Sequence, residues 1–414
     1  MNTTVQDPGQ ALLTITQRPP AVFVEGQGSW LVDESGRRYL DLVQGWAVNS
    51  LGHSPALVAQ ALAAQAQRLV NPGPAFYNRP MLDLAARLVE ASCFSRVFLA
   101  SSGAEANEGA VKLARRWGQK MRGGAHEIVG FDGGFHGRTL AMMAASGKPG
   151  WGTLYPPMPT GFAKARFNDL RSVEAALTPA SVAVMIELVQ GEAGINIADP
   201  GFVRELRALT HERGLLLIVD EVQTGIGRCG AAFAHELYDI KPDVMTLGKG
   251  LGGGVPLAAL LCTERLNCFE PGDQGGTYCG NPLMAAVGLA VVNEVCREDF
   301  LAQVRARAQQ LSTGLQALVQ AHGLVGERGV GLLRALELPS ARAEAVVAAA
   351  RGLQPHGLLL NAPRPTLLRL MPALNIGEDE VALALQLLDR ALHAALHDAT
   401  ESSPAHPQPR LLPC

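Results

Sequence analysis

Residues 215–254 read LLLIVDEVQTGIGRCGAAFAHELYDIKPDVMTLGKGLGGG, and this stretch decides the fold. Two short uncharged apolar runs, at 215–219 and 244–247, each end abruptly at polar or glycine-rich sequence. Such runs are typical of strands in a parallel sheet that is covered on both faces. Ligands of these sheets collect at the carboxyl ends of the strands. The stretch therefore predicts a ligand site that includes Asp220 and Lys249.

Similar runs occur on both sides of this stretch, separated by segments with helical spacing of apolar residues. They predict a doubly wound α/β core with a mostly parallel sheet covered by helices. Four more of its strands are expected at 97–100, 128–131, 182–186 and 257–262.

The two ends of the chain are expected to build a smaller α+β unit together. Short strands joined by a turn at Glu34 to Gly36 begin the chain, and helices alternate with strands at 332–338 and 358–360 near its end. We therefore predict an N-terminal part of a small domain at 1–65, a large cofactor-binding domain at 66–305, the rest of the small domain at 306–398 and a disordered tail at 399–414.

Composition excludes several classes of function. The 414 residues include 35 Lys and Arg against 38 Asp and Glu, a net charge of −3, so the basic footprint of a nucleic-acid-binding protein is missing. The longest apolar run is too short to span a bilayer, and the first ten residues lack the features of a secretory signal. We expect a globular, cytoplasmic protein with no nucleic-acid or membrane partner.

Metal chemistry has no support in the sequence. Seven scattered cysteines form no Cys-x-x-Cys pair, which favours reduced thiols over a disulfide framework or a zinc finger. His393 and His397 are four residues apart, but no Glu completes a zinc-protease pattern, and a solvated helix face explains them better. We expect no metal site.

The strand at 97–100 is followed by SSGAEANE at 101–108, which opens a helix. This junction presents backbone N–H groups and the positive end of a helix dipole, and Gly103 allows a phosphate to approach closely. Ser102 adds a hydroxyl group. An ordinary helix cap is the alternative interpretation, because Ser102 and Glu105 also match a capping box.

Lys249 lies in a glycine-rich loop at a strand end, where partial desolvation would favour a neutral, nucleophilic amine. It is one of six lysines in the chain, and a solvated loop lysine is the alternative. Gly248, Gly250 and Gly253 match the spacing of a dinucleotide fingerprint, but Pro256 and a strand-like run follow where that motif needs a long helix. Asp220 must be partnered or functional, because a carboxylate after five apolar residues is costly to desolvate.

One cofactor in particular suits the combination of a phosphate cradle, a lysine and a carboxylate at three strand ends. An aromatic pair in the segment GFHGRT at 134–139 adds to this combination. Pyridoxal phosphate needs an amine for its aldehyde, an anion cradle for its phosphate, an acidic partner for its ring nitrogen and a flat contact for its ring.

The chain resembles the pyridoxal-phosphate-dependent aminotransferases of the ornithine and acetylornithine group, class III, and is most similar to the acetylornithine branch. The resemblance extends from about residue 20 to 395 and implies a fold type I transferase. It rests on seven segments in the family's order: AVNSLGH at 47–53, SGAEANE at 102–108, FHGRT at 135–139, QGEAG at 190–194, DEVQTG at 220–225, the Lys249 loop, and TYCGNP at 277–282.

The resemblance also implies roles for single residues. Lys249 and Asp220 would be catalytic: Lys249 would bind the cofactor aldehyde and move protons, and Asp220 would pair with the ring nitrogen. Thr277 would reach the phosphate of a neighbouring subunit, which implies a homodimer with shared sites. The remaining cofactor contacts would be Gln223 at the phenolic oxygen, Phe135 against the ring, and Ser102, Gly103 and Ala104 at the phosphate.

Three further residues would bind the substrates. Arg138 would hold a substrate carboxylate, and Arg369 would receive the α-carboxylate of glutamate. Glu192 would mask Arg369 while the amino donor reacts and then move aside for 2-oxoglutarate. Separate surface positions for Glu192 and Arg369 are the alternative.

The sequence thus predicts an aminotransferase that moves the terminal amino group of N-acetylornithine, or a close analogue, to 2-oxoglutarate. Trp46 and the segments at 71–78 and 275–279 depart from the acetylornithine pattern, so succinylornithine, ornithine or 4-aminobutyrate stay open as donors. A pyridoxal-phosphate aminomutase, such as a glutamate semialdehyde aminomutase, and a catalytically silent regulator on the same fold are the other classes. The Glu192 and Arg369 pair speaks against the aminomutase.

Overall fold

The computed structural model describes residues 8–396, so the predicted tail at 399–414 lies outside the described residues. Short strands make up four sheets. In chain order, the strands are β1 (Phe23–Gln27), β2 (Trp30–Asp33), β3 (Arg38–Asp41), β4 (Arg96–Ala100), β5 (Glu127–Phe131), β6 (Phe162–Ala165), β7 (Ser181–Ile186), β8 (Val189–Gln190), β9 (Asn196–Ile197), β10 (Leu216–Asp220), β11 (Val244–Leu247), β12 (Ala258–Cys262), β13 (Gly326–Val330), β14 (Leu333–Glu337), β15 (Gly357–Leu359), β16 (Asn361–Arg364) and β17 (Leu367–Leu370).

Helices connect and cover these strands. They are α1 (Gln44–Ala47), α2 (Ala56–Ala66), α3 (Arg79–Glu90), α4 (Gly103–Met121), α5 (Leu140–Ala145), α6 (Leu170–Ala176), α7 (Pro200–Glu212), α8 (Pro282–Val295), α9 (Glu298–His322), α10 (Ala343–Gly352) and α11 (Glu378–Leu396). Short 3-10 segments lie at Pro8–Ala11, Trp151–Thr153, Ala234–Tyr238, Lys249–Leu251 and Glu264–Leu266.

Local sequence sets where many of these helices begin. A side-chain oxygen before the first turn accepts a backbone N–H, which typically stabilises a helix by about 1 kcal/mol. Proline in the first turn of α3, α7 and α8 reinforces the boundary. The capping residues are Asn78, Ser102, Thr139, Asp169, Asp199 and Asn281.

The central sheet has seven strands in the order β4-β12-β11-β10-β7-β5-β6. All six residues of β7 are buried, as expected for the middle of a sheet that is covered on both faces. Strand β12 runs antiparallel to both of its neighbours, and the other pairs are parallel. The predicted α/β class and mostly parallel sheet are confirmed, although the sequence prediction missed the edge strand β6.

The two ends of the chain meet in one sheet. Strands β1, β2 and β3 form an antiparallel meander, and β15 joins β3 in parallel register, with Tyr39 opposite Gly357. A separate antiparallel sheet has the order β13-β14-β17-β16. The N-terminal strands thus join the C-terminal region as expected, and the domain boundaries at 65/66 and 305/306 stay predictions.

A left-handed turn follows β3. All four residues of α1 have positive φ angles, between 48° and 66°, although only Gly45 is a glycine. Such a conformation costs roughly 1–2 kcal/mol for each non-glycine residue. The Asp41 carboxylate holds the turn by accepting the backbone N–H groups of Val43 and Gln44, at 2.7 and 3.1 Å. Strain of this kind is concentrated at functional sites.

Residues 8–396 contain neither a membrane-spanning helix nor a cluster of metal-binding side chains. No helix there is long and apolar enough to cross a membrane. In the same residues, no group of three or more His, Cys, Asp and Glu side chains is arranged to hold a metal ion.

Candidate active site

The parallel pairing of β10 and β11 brings two predicted residues to one edge of the central sheet. Asp220 ends β10 and lies opposite Thr246, three residues before Lys249. The chain turns sharply after β11, so that Lys249 has a left-handed φ of 40° at the start of a 3-10 segment. Lys249 is half-buried as a residue, and its ammonium group is thereby placed near Asp220, Glu187, Glu192 and Arg369, whose charges all act on it.

The surroundings of Lys249 favour the loss of its proton. Burial lowers the pKa of the Lys249 ammonium, and the carboxylates of Glu192 and Asp220 offset this only in part. The positive charge of Arg369 lowers the pKa further. A lysine in such a place can act as a nucleophile and as a general base.

Asp220 is buried and carries the negative charge of the site. Burial would raise the pKa of its carboxyl group, but hydrogen bonds and the charge of His136 outweigh burial and lower the pKa below its ordinary value. His136 Nδ1 lies 2.7 Å from Oδ2, and the Asn107 amide donates to the same oxygen at 2.8 Å. Oδ1 accepts the Val222 N–H at 3.0 Å and lies 3.5 Å from the Thr246 hydroxyl oxygen.

A second buried carboxyl group, Glu187, lies near the first. Burial raises the pKa of Glu187 well above its ordinary value, and the charge of Asp220 adds to this increase. Its Oε2 accepts the backbone N–H of Phe135 at 2.8 Å. Since two close carboxylates resist joint ionisation, the negative charge stays on Asp220.

The first turn of α4 forms the predicted phosphate cradle. The capping box is present: Ser102 Oγ accepts the Glu105 N–H at 3.3 Å, and Glu105 Oε2 accepts the N–H groups of Ser101 and Ser102 at 2.8 Å each. The first-turn N–H groups of Gly103 and Ala104 have no carbonyl partner in a helix, and they suit an anion. The cap and the cradle are therefore compatible at one helix end.

Phe135 and Arg138 lie together at the rim of the site. The Phe135 and Trp151 rings are 5.5 Å apart, and the guanidinium carbon of the exposed Arg138 lies 5.9 and 5.7 Å from these two ring centres. Phe135 is half-buried and offers a flat face, and Arg138 offers a cation that a substrate carboxylate can reach.

Gln223 packs against the backbone near the Arg369 guanidinium. A Cβ atom at Gly191 would lie 1.6 Å from Gln223 Oε1 and 3.6 Å from Arg369 Nη1, so any larger residue there would displace the Gln223 amide. Gln223 is buried, and its amide nitrogen also contacts Met371 Sδ at 4.0 Å. Its amide can provide a hydrogen bond to an oxygen bound in the site.

Glu192 and Arg369 form the ion pair that the sequence predicted. Glu192 Oε1 lies 2.8 Å from Arg369 Nη1, and the Arg369 side chain is 0% exposed. Burial would raise the pKa of the Glu192 carboxyl group, but Arg369 outweighs burial and lowers the pKa. Arg369 also bonds to Asn361 Oδ1 and Gly191 O, at 2.9 and 2.8 Å, and its guanidinium lies over the Trp46 ring at 5.4 Å. The left-handed turn α1 positions this indole.

Thr277 is the one predicted site residue that the structure does not bring to the others. It is exposed on a loop between the last 3-10 segment and α8, and within residues 8–396 it makes no hydrogen bond to another predicted site residue. This position agrees with a role in a neighbouring subunit but does not test it.

A cavity of about 220 Å³ opens beside the ion pair, and its lining includes Phe135, Lys148, Glu192 and Arg364. A larger cavity of about 460 Å³ lies at Lys112 and Arg116 and contains none of the predicted site residues. Arg116 is already paired there with Glu270 and Asp273, so cavity size does not mark the functional site.

The residues present fit pyridoxal phosphate. An ionised Asp220 suits a protonated ring nitrogen, the start of α4 suits a phosphate, and the Lys249 amine suits an aldehyde. The sequence prediction gave no role to the residues that orient Asp220, namely His136, Asn107 and Thr246, or to Lys148. His136 and Asn107 lie inside segments that resemble the family, which is a usable signal, whereas Thr246 is hidden within an apolar run.

Comparison with known proteins gives a consistent result. The family described as aminotransferase class-III matches residues 14–392. Acetylornithine aminotransferase 2 of Bordetella bronchiseptica is 59% identical over 384 residues, which cover 93% of this chain and 97% of that relative.

Two solved structures share the fold. N-acetylornithine aminotransferase of Stenotrophomonas maltophilia is 35% identical with a TM-score of 0.79, and it covers 91% of this chain and 96% of its own. Ornithine aminotransferase of Toxoplasma gondii is 28% identical with a TM-score of 0.89, and it covers 94% of each chain. The family expected from the seven segments is confirmed, and the chain belongs to the class-III aminotransferases.

Proposed function

We propose that this aminotransferase moves the terminal amino group of N-acetylornithine, or of a close analogue, to 2-oxoglutarate with pyridoxal phosphate as its cofactor. The products are a semialdehyde and glutamate. The choice of donor is supported by the names of the relatives that are 59% and 35% identical, both acetylornithine aminotransferases. The ornithine aminotransferase is less similar in sequence, at 28% identity.

The observation that carries the proposal is the ion pair between Glu192 and Arg369. One site must react first with an amine that is remote from an α-carboxylate and then with a keto acid whose carboxylate lies next to the reacting carbon. With Glu192 at 2.8 Å, the charge of Arg369 is neutralised for the first substrate. When Glu192 moves away, the guanidinium can bind the second carboxylate through two hydrogen bonds. An aminomutase exchanges no keto acid and does not need such a pair.

The remaining residues would hold and orient the cofactor. Pyridoxal phosphate supplies an aldehyde that takes up an amino group and a ring that takes up electrons. Asp220 would keep the ring nitrogen protonated, since its own pKa is lowered and its Oδ2 is already held by His136 and Asn107. The other contacts are those of Lys249 through Nζ, Gln223 at the phenolic oxygen, Phe135 at the ring face, and Ser102, Gly103 and Ala104 at the phosphate.

Lys249 would also move the proton that the reaction requires. Because burial lowers the pKa of its Nζ, the amine can accept a proton from the substrate carbon that bears the amino group. It would then donate this proton to the cofactor carbon. Arg138, at the rim beside Phe135, would hold the distant α-carboxylate of the donor.

The assembly we propose is a homodimer with shared active sites. The exposed position of Thr277 supports a contact with the phosphate of the neighbouring subunit. Large exposed apolar side chains also support an interface, and they include Phe76, Tyr77 and Tyr278.

A panel of amino donors tests the proposal. The purified protein with pyridoxal phosphate should form glutamate from 2-oxoglutarate with a kcat/KM for N-acetylornithine about tenfold or more above that for ornithine, 4-aminobutyrate or lysine, a difference of ~1.4 kcal/mol or more. Succinylornithine shares the acylated α-amine and should rank second. Lys249→Ala is the control and should form no product and no borohydride-stable adduct. Faster turnover of ornithine would contradict the proposed donor.

A further inference from the structure

Cys93, His235 and Glu221 form a cluster that the aminotransferase reaction does not use. Cys93 lies in the loop between α3 and β4, His235 in the 3-10 segment Ala234–Tyr238, and Glu221 directly after β10. Cys93 Sγ is 3.7 Å from His235 Nε2, and His235 Nδ1 is 2.8 Å from Glu221 Oε1. The order of groups is that of a thiol, an imidazole and an orienting carboxylate.

The imidazole is held in one orientation. Glu221 and His235 are buried, and the Glu221 carboxylate also accepts the backbone N–H groups of Ala234 and His235, at 2.5 and 2.8 Å. Phe233 stacks on the His235 ring with centres 5.9 Å apart, and Phe94 approaches its edge at 6.0 Å. With Nδ1 bonded to Glu221, Nε2 is the atom that faces the sulfur.

The surroundings of His235 make its imidazole a strong base beside the sulfur. Burial would lower the pKa of His235, but the bonds with Cys93 and Glu221 outweigh burial and raise the pKa to about 10. With Nε2 3.7 Å from Cys93 Sγ, this base is placed to accept the thiol proton.

The other cysteines of residues 8–396 lie in different surroundings. Cys93 is exposed, whereas Cys229 and Cys262 are buried and Cys268, Cys279 and Cys296 are partly buried. Burial raises the pKa of each of these five thiols, to about 11 for Cys296 and about 12 for Cys262. Accessibility and a facing imidazole coincide at Cys93.

We propose that Cys93 is a reactive thiol at which this chain forms mixed disulfides with small disulfide molecules, with His235 as its proton acceptor and Glu221 as the residue that positions His235. The Cys93 proton passes to His235 Nε2, and the thiolate attacks one sulfur of the small disulfide. The S–S bond of that molecule breaks as the new one forms, and the leaving thiolate takes the proton from His235. No other oxidant is required.

The test follows the release of thiopyridone from 4,4′-dithiodipyridine by the holoenzyme at pH 7. One thiol per chain should react about tenfold faster or more than glutathione under the same conditions, and peptide mass spectrometry should locate the label at Cys93. Cys93→Ser should abolish the fast phase without loss of aminotransferase activity. The matched control Cys296→Ser should keep the fast phase.

The role of the imidazole is tested separately. His235→Gln should slow labelling of Cys93 by about tenfold, and Glu221→Gln by about threefold, in proteins whose circular dichroism matches the parent protein. If His235→Gln does not fold, the rate of Cys93 labelling in Glu221→Gln decides the role of the imidazole, and an unchanged rate there would overturn it. Absence of a fast thiol, labelling at another cysteine, or an unchanged rate in a folded His235→Gln variant would overturn the proposal.

Discussion

Arg369 is a fully buried cation whose charge is countered by one partly exposed carboxylate, Glu192. Asn361, Gly191 and Trp46 also contact the guanidinium, and none of these three contacts involves Glu192. Removal of Glu192 should therefore leave a preorganised carboxylate receptor rather than a collapsed site.

We predict that Glu192→Ala improves the use of glutamate as an amino donor. A charge-assisted bond to Arg369 would become available at once, and kcat/KM for glutamate should rise by about tenfold, or ~1.4 kcal/mol. The same variant should lose kcat/KM for N-acetylornithine. Glu192→Gln, which keeps the size but removes the charge, should behave in the same direction. An unchanged ratio of the two donors in both variants would refute the masking role.

The sequence predicted the site residues that follow apolar runs. It did not predict the residues that hold these site residues in place through hydrogen bonds. Lys249 and Asp220 stand out because a charged side chain at the end of a buried strand, or just beyond it, is costly to desolvate. His136 and Asn107 meet Asp220 from positions 84 and 113 residues away, and Thr246 meets Asn107 across 139 residues. Only the three-dimensional structure reveals such distant pairings.

At the scale of elements, the start of α4 approaches the end of the central sheet closely. A Cβ atom at Gly103 would lie 2.7 Å from Val222 Cγ1, so this helix end packs directly on the loop after β10. Glycine at this position is thus required by helix-to-sheet packing as well as by any bound phosphate.

We predict that Gly103→Ala weakens cofactor binding by about tenfold and destabilises the fold by ~1–3 kcal/mol, because the added methyl group must displace Val222 or the helix. Equilibrium titration and thermal unfolding measure the two effects. Val222→Ala in the same chain should restore much of both losses. Gly352→Ala in α10 is the control, because its Cβ would meet nothing within 4 Å. Equal losses in both alanine variants would contradict the packing argument.

Strand β6 shows why an edge strand escaped prediction. It contains Lys164, which interrupts the apolar pattern of FAKA, yet the Lys164 ammonium donates to Ala144 O at 2.7 Å. Burial lowers the pKa of Lys164 to about 8, and Asp132 offsets this only in part. The antiparallel direction of β12 was likewise not specified by its apolar run.

Lys164 should make stability depend on pH in the alkaline range. The unfolded chain keeps the proton up to its ordinary pKa of 10.5, whereas the folded chain releases it near 8. The free energy of unfolding, relative to that of Lys164→Met, should therefore rise as the pH increases from 8 to 10.5, by ~1–2 kcal/mol after allowance for partial exposure. Below pH 8 the difference between the two proteins should not vary with pH. Denaturant unfolding of both proteins at pH 7, 9 and 10.5 measures the difference. A difference that does not vary with pH would contradict it.

At the scale of the whole molecule, Thr277 connects the proposed site to the proposed dimer. Its exposure in a single chain leaves the threonine hydroxyl without a partner among the other predicted site residues of the described part. In a shared site, Lys249 would come from one chain and Thr277 from the other, so a dimer of two different variant chains can contain one intact site.

Mixed dimers distinguish a shared site from a site within one chain. Thr277→Ala should weaken cofactor affinity by about tenfold, the loss of one hydrogen bond to a charged group. Dimers of one Thr277→Ala chain and one Lys249→Ala chain should contain one intact site, so half of the sites should bind cofactor with the parent affinity. If mixed dimers show no site of parent affinity, Thr277 acts within its own chain.

The pairing of β3 with β15 has a consequence for how the protein is made. A ribosome delivers Arg38–Asp41 long before Gly357–Leu359, so one edge of β3 stays unpaired during most of synthesis. The N-terminal meander cannot complete its sheet until nearly all of the chain has emerged, and an open strand edge attracts incorrect partners in the meantime. We therefore expect a nascent chain to become resistant to proteases only when the last helix has left the ribosome. Folding of the central sheet alone should not be sufficient.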